Sequence, residues 1–179
     1  MGFERFIVVT GGPGSGKSTL IEALAKTGLA RMPEAGRAII QDQVSIGGTA
    51  LPWGDRLAFA ELMLGWELRS YREAEAHVGP VLFDRGIPDV VGYLELSGLP
   101  VGAHVARAAD RYRYRREVFI APPWPDIFTQ DAERKQTIEE AEATYHALVR
   151  VYSDRGYDLV PLPLAPVSER VAFMQARIS

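Results

Sequence analysis

With 179 residues, 47% of them hydrophobic and 24% charged, the chain has the composition of one globular domain, which excludes a disordered, collagen-like or coiled-coil protein. It has no cysteine, which removes disulfides, thiolate catalysis and zinc-finger chemistry together. A net charge of −3 is the wrong sign for tracking nucleic-acid phosphates, and no apolar run approaches the roughly 18 residues of a membrane span, so a cytoplasmic domain without membrane or nucleic-acid partners is expected.

Phe6–Thr10 is a continuous apolar run ending in glycines, the pattern of a strand buried on both faces. A helix follows over Lys17–Lys26, then a short strand at Leu29–Pro33 and a helix at Glu34–Gln43. Gly47, Gly48, Pro52 and Gly54 make Ser45–Gly54 a loop. The spacing of Phe59, Leu62, Met63 and Trp66 predicts a long helix over Asp55–His77 with those residues on one face. Val81–Asp84 is a second buried-type strand, followed by helices at Pro88–Ser97 and Val101–Tyr112 and a strand at Val118–Ala121. Ile138, Ala141, Tyr145, Leu148, Val149 and Tyr152 form the stripe of a helix over Thr137–Tyr152. A last strand at Tyr157–Leu162 and a terminal helix carrying Val167, Val171, Met174 and Ile178 close the chain. Strands alternating with helices imply a three-layer α/β domain around a five-stranded parallel sheet.

The chemistry concentrates in a few places. Gly11-Gly12-Pro13-Gly14-Ser15-Gly16-Lys17-Ser18 fits G-x-x-x-x-G-K-[ST] between a strand and a helix, the phosphate-binding loop of P-loop NTPases. Its glycines let backbone N–H groups approach phosphate oxygens, and the helix start adds partial positive charge. Gly12, Pro13, Gly14, Ser15, Gly16, Lys17, Ser18 and Thr19 are the expected ATP contacts. Lys17 is expected to reach the outer phosphates and the Ser18 hydroxyl to ligate Mg²⁺. Asp84 ends a strand that would lie beside the loop, where this fold class places a second Mg²⁺ partner. Arg85 reads as a planar donor to a phosphate or carboxylate, expected to stabilise the transferring phosphate, or as the partner of a surface acid.

Glu34 reads equally as a carboxylate facing a substrate hydroxyl and as a helix-start charge. Arg37 reads as an anchor for a substrate anion or as a partner for Glu34. Asp89 reads as a cap or surface charge. The charge-dense run Asp131–Gln136 suggests a lid over roughly 126–137, with Arg134 (and less so Lys135) folding over the phosphates. Arg107, Arg111, Arg113, Arg115 and Arg116 read as a solvated face. His77, His104 and His146 lack metal-ligand spacing and read as surface residues. Trp124 reads as packing. An acceptor pocket is expected between the Glu34 region, the Ser45–Gly54 loop and the long helix at Trp66.

Together with Pro33-Glu34, Phe83-Asp84-Arg85-Gly86, Pro122-Pro123-Trp124-Pro125 and Gly156-Tyr157, these motifs resemble a bacterial "AAA family ATPase" family over nearly the whole chain. That family is similar to P-loop kinases of small metabolites, especially ribosylnicotinamide-kinase domains and deoxynucleoside kinases. The resemblance implies that Glu34 faces the acceptor hydroxyl, that Asp84-Arg85 matches the kinases' Asp/Glu-Arg-Ser motif with Gly86 in place of serine, and that Arg134 is a lid arginine. Sensor and arginine-finger elements of hexameric AAA machines are not recognisable. The expected activity is ATP- and Mg²⁺-dependent phosphoryl transfer to a small hydroxylated molecule. An ATP-driven regulatory switch is the alternative. A guanine-reading Asn-Lys-x-Asp motif cannot exist, because the chain has no asparagine.

Overall fold

The computed structural model describes residues 2–128 and 137–178. Five parallel strands, β1 (Phe6–Gly11), β2 (Ala30–Met32), β3 (Val81–Asp84), β4 (Glu117–Ala121) and β5 (Asp158–Pro161), form one sheet in the order β2-β3-β1-β4-β5. Every residue of β1 and β3 is buried, as expected of central strands covered on both faces. The sheet is therefore as expected from the sequence, with strand ends shifted by at most one residue. Pro161 closes an edge strand, where its missing N–H interrupts no inner ladder.

The helices are α1 (Lys17–Ala25), α2 (Ala35–Ile46), α3 (Arg56–Glu75), α4 (Ile87–Leu96), α5 (Ala103–Arg111), α6 (Ile138–Asp154) and α7 (Val167–Ile178). Alternate side chains of the sheet feed two separate cores. Ile7, Val9, Leu82 and Phe119 pack with Leu20, Ile21 and Leu24 of α1 and with Met174 of α7. Phe6, Val8, Phe83 and Ile120 point the other way, against Tyr71 of α3 and Leu148 and Tyr152 of α6. Burying each of these aliphatic or aromatic side chains contributes roughly 1.5–3 kcal/mol. On that second side α4 packs between α3 and α6, and α5 packs on α4.

Some expectations change. Along α3 the buried residues are Phe59, Ala60, Leu64, Glu67, Ser70, Tyr71 and Ala74, whereas Leu62 is 42% exposed. The stripe drifts because α3 touches α2 near its start, α4 along its side and the sheet near its end. The arginine run is not a wholly solvated face either. The Arg113 guanidinium lies 4.0 Å from the ring centroid of Tyr157 and donates to the Arg155 carbonyl at 2.8 Å. Arg115 donates to the Arg177 carbonyl at 2.7 Å, while Arg107, Arg111 and Arg116 are exposed.

The strand order reverses direction around β1, with β3 on one side and β4 on the other. Such a switch point leaves a crevice at the carboxyl ends of the strands. Val9 is level with Asp84 across β1 and β3, so the ends of these two strands carry the candidate site.

Candidate functional site

The loop after β1 is built around glycines that cannot be replaced cheaply. Gly14 and Gly16 have φ of +68° and +72°, the left-handed region that costs other residues about 1–2 kcal/mol. A Cβ on Gly12 would come within 2.8 Å of the Ala141 carbonyl of α6, and one on Gly11 within 2.6 Å of the Ala121 carbonyl of β4. Beyond the loop, Phe128 packs against Gly14 and Ile127 against Gly16. Ser15 folds its hydroxyl onto the Gly12 carbonyl at 2.9 Å, leaving the exposed Ser18 and Thr19 at the start of α1. Pro13 lies between the loop and the neighbouring cavity.

Lys17 is buried, and its Nζ donates to Asp84 Oδ1 at the end of β3. The sequence expectation that Asp84 lies beside the loop is met in this geometry. Ammonium, carboxylate, the exposed Ser18 hydroxyl and a turn of positive-φ glycines form a donor set that fits a triphosphate with a hard divalent cation. Among the described residues no cluster of three or more His, Asp or Glu side chains forms a metal site by itself. A cation here would thus draw ligands from phosphate oxygens as well as from protein.

After Asp84 the backbone turns sharply. Arg85 has φ +75°, the one left-handed value outside glycine among the described residues, and its N–H donates to the Val9 carbonyl at 3.0 Å. This turn swings the Arg85 side chain between two carboxylates. Nε meets Glu34 at 3.1 Å and Nη1 meets Asp89 at 3.3 Å. Burial opposes the Arg85 charge, but Glu34, Asp89 and Asp84 outweigh it and hold its pKa above the usual arginine value. Glu34 occupies the N-cap position of α2 without capping it with its side chain. Its carboxylate is spent on Arg85 rather than on the helix.

Asp89 meets one of its two sequence readings and not the other. It does cap α4, accepting from Gly86 N–H at 2.9 Å, but it is buried rather than a surface charge. It also accepts from Thr10 at 2.5 Å and from the Tyr152 hydroxyl at 2.6 Å, so one carboxylate joins β1, α4 and α6. No short motif announces this, because its partners lie 79 and 63 residues away in sequence.

Glu67 was missed altogether. It is 4% exposed, has no hydrogen bond or ion pair among the described residues, and lines the same cavity as Glu34, Arg85 and Asp89. Burial first, then Asp89 and Asp84, hold its carboxyl well above the usual glutamate range, against the pull of Arg85. The cavity, about 500 Å³, lies where the acceptor pocket was expected, with Ala35, Ile40, Phe59, Met63 and Tyr93 among its apolar walls. Trp66, however, packs against the α2–α3 core instead of lining it. One residue along a helix rotates a side chain by about 100°, which is enough to bring Glu67 round in its place. An acid inside an apolar stripe was the available signal.

Arg170 of α7 was also missed. It is buried, donates Nη1 to the Ser15 carbonyl at 3.1 Å and lies 5.6 Å from the ring centroid of Trp124. Its Nε and Nη2 have no partner among the described residues, and burial lowers its pKa. Trp124 thereby packs, as expected. His104 pairs with Glu61 at 2.7 Å, and His77 and His146 are exposed. Arg37 is exposed, on the first turn of α2. Arg134 and Lys135, with most of the expected lid, lie outside the described residues.

The whole fold recurs in solved structures. A deoxyadenosine kinase from M. mycoides with dCMP and dCDP bound superposes with a TM-score of 0.71 at 13% identity, over 96% of this chain and 97% of that one. NadR in complex with NR gives 0.74 at 18% identity over 99% of this chain, which spans only 51% of that protein. A thymidylate kinase from Ehrlichia chaffeensis gives 0.59 at 15% identity over 97% of each chain. At such identities the likeness establishes the fold, a P-loop kinase-like three-layer domain. No curated protein sequence matches the chain. A family model described as "AAA domain" matches residues 6–170, and the chain belongs to that family of P-loop NTPases.

Proposed function

We propose that this chain transfers the γ-phosphoryl group of ATP, with Mg²⁺, to a hydroxyl of a small molecule held in the cavity beside the loop. One observation carries the reading: the Lys17–Asp84 pair and the Glu34–Arg85 pair come from adjacent residues at the end of β3, so phosphate chemistry and a carboxylate-lined cavity share one boundary. A pure switch would have no need of that cavity.

In this reading the loop amides and Lys17 hold the triphosphate, and Ser18 and Asp84 hold the cation, whose contribution is to neutralise phosphate charge. Glu34 orients the acceptor hydroxyl and takes its proton. The hydroxyl oxygen bonds to the γ-phosphorus while the bond to the β–γ bridging oxygen breaks, and ADP leaves with that electron pair. Arg85, already fixed between Glu34 and Asp89, faces the developing charge without having to reorganise, which is where such a group has most effect. Arg134 would close over the phosphates as part of a lid. Positioning and charge neutralisation supply most of the rate in phosphoryl transfer.

The deciding experiment is a panel of nucleosides, sugars and vitamins with Mg-ATP, scored for acceptor-dependent ADP release. At least one compound should raise the rate well above the background. A flat response across the panel would favour the regulatory switch.

A further inference from the structure

The cavity floor has an uneven charge balance. Four carboxyl groups, Glu34, Glu67 and Asp89 on the cavity lining and Asp84 beside the loop, gather around two cations, Lys17 beside the loop and Arg85 on the lining. Both cations are already ion-paired: Lys17 to Asp84, and Arg85 to Glu34 and Asp89. Among the described residues, the remaining guanidinium on the cavity wall, Arg56, is exposed at the start of α3. An acceptor carrying its own phosphate would therefore meet carboxyl oxygens at the floor. The described cation it would meet there, Arg85, is already shared by Glu34 and Asp89, so a phosphate would compete with two carboxylates for one guanidinium.

The four carboxyls also differ in what they already hold. Asp89 accepts from Thr10, Gly86, Arg85 and Tyr152, so its lone pairs are largely occupied. Asp84 holds Lys17. Glu67 alone among the four is buried, faces the cavity and accepts from nothing among the described residues. A buried polar group without a partner is costly in a folded protein unless a ligand completes it.

This inference rests on the phosphotransferase reading of the same cavity. We propose that the acceptor is a phosphate-free molecule bringing at least two hydrogen-bond donors to the cavity floor, one to Glu34 and one to Glu67, and that Glu67 is the specificity-determining residue that selects it. Glu34 receives the reacting hydroxyl, and Glu67 receives a second O–H or N–H. The apolar walls from Phe59, Met63 and Tyr93 cover the remainder of the molecule. A compound lacking the second donor would leave the Glu67 carboxyl unpaired and be rejected, the strongest form of discrimination that a binding site has.

The test uses the full chain and matched probes. The common ribo- and deoxyribonucleosides, D-ribose and D-glucosamine are each set beside their own 5′- or 6-phosphates. Binding is read by calorimetry with Mg-AMP-PNP present, and ADP release is read in parallel with Mg-ATP. At least one phosphate-free compound should bind, and more tightly than its phosphorylated partner. Glu67→Leu should weaken that binding about tenfold or more, and Glu67→Gln, which keeps a carbonyl acceptor, only about threefold. Affinity for Mg-AMP-PNP should be the same in both variants, which also verifies that they fold. Tighter binding of a phosphorylated probe, no binding of any phosphate-free probe, or unchanged affinity in Glu67→Leu would overturn the proposal. A monophosphate that both binds best and drives ADP release would overturn it and leave the phosphotransferase reading standing. A phosphate-free probe bound through Glu67 without ADP release would do the reverse.

Discussion

The two halves of the candidate site are made of different material. The half proposed to hold phosphate is eight consecutive residues that would work through backbone amides, glycine torsions and a single ammonium group. The half proposed to hold the acceptor is assembled from Glu34, Glu67, Arg85 and Asp89, side chains contributed by four separate connections or helices. A backbone site tolerates little change of shape. A side-chain site tolerates changes of shape but few changes of charge. The two halves should therefore fail differently when altered.

The largest effects are expected where each half meets the transferring group. Lys17→Ala should abolish detectable ADP release and Mg-ATP binding together; unchanged affinity would remove the loop from the mechanism. Glu34→Gln should leave Mg-ATP affinity close to that of the wild type while lowering phosphoryl transfer about 10²–10⁴-fold, as loss of a general base does. Equal transfer by that variant would reassign Glu34 to holding Arg85.

Next comes the shape of the backbone half. Gly12→Ala sets a methyl group 2.8 Å from the Ala141 carbonyl, so α6 or the loop must shift. About 1–3 kcal/mol of stability should be lost, together with most Mg-ATP binding, by chemical denaturation and calorimetry. A variant that binds Mg-ATP normally would show the loop to be more compliant than the comparison requires. Tyr152→Phe should be gentler. It deletes the 2.6 Å bond to the Asp89 carboxylate and should cost about 1.5–3 kcal/mol of stability, leaving Mg-ATP affinity in place.

The smallest effect concerns pH. The Glu67 carboxyl titrates above its unfolded value of about 4.5, so the native state retains a proton that the unfolded chain releases. Its contribution to stability is greatest below that value and declines as pH rises towards the native pKa. Glu67→Gln has no such group, so its stability relative to the wild type should improve as pH climbs above about 4.5. Parallel stability–pH curves for the two proteins would mean that Glu67 is not held in the way its surroundings imply.

The same contrast explains what could be read from the sequence. The phosphate loop is contiguous, so its spacing alone placed Gly11 to Ser18 between a strand and a helix, and two-sided burial marked β1, β3 and β4 as central. Asp84 was legible because it terminates such a strand. Glu67 was not, because a helix that touches α2, α4 and the sheet in turn has no single stripe, and the residue after Trp66 looks like surface in a one-sided pattern. Asp89 and Arg170 escaped for a related reason: what distinguishes them is a partner in a distant part of the chain, Tyr152 for one and the Ser15 carbonyl for the other.

The fourfold engagement of Asp89 has a practical consequence for anyone redesigning this protein. A carboxylate shared by Thr10, Gly86, Arg85 and Tyr152 ties the reacting edge of the cavity to the scaffold, so repurposing from that side would unravel the domain before it changed preference. The wall from Ile40 through Pro52 and Trp53 to Phe59 and Met63 carries no comparable knot among the described residues. New acceptors should be sought by rewriting that wall alone.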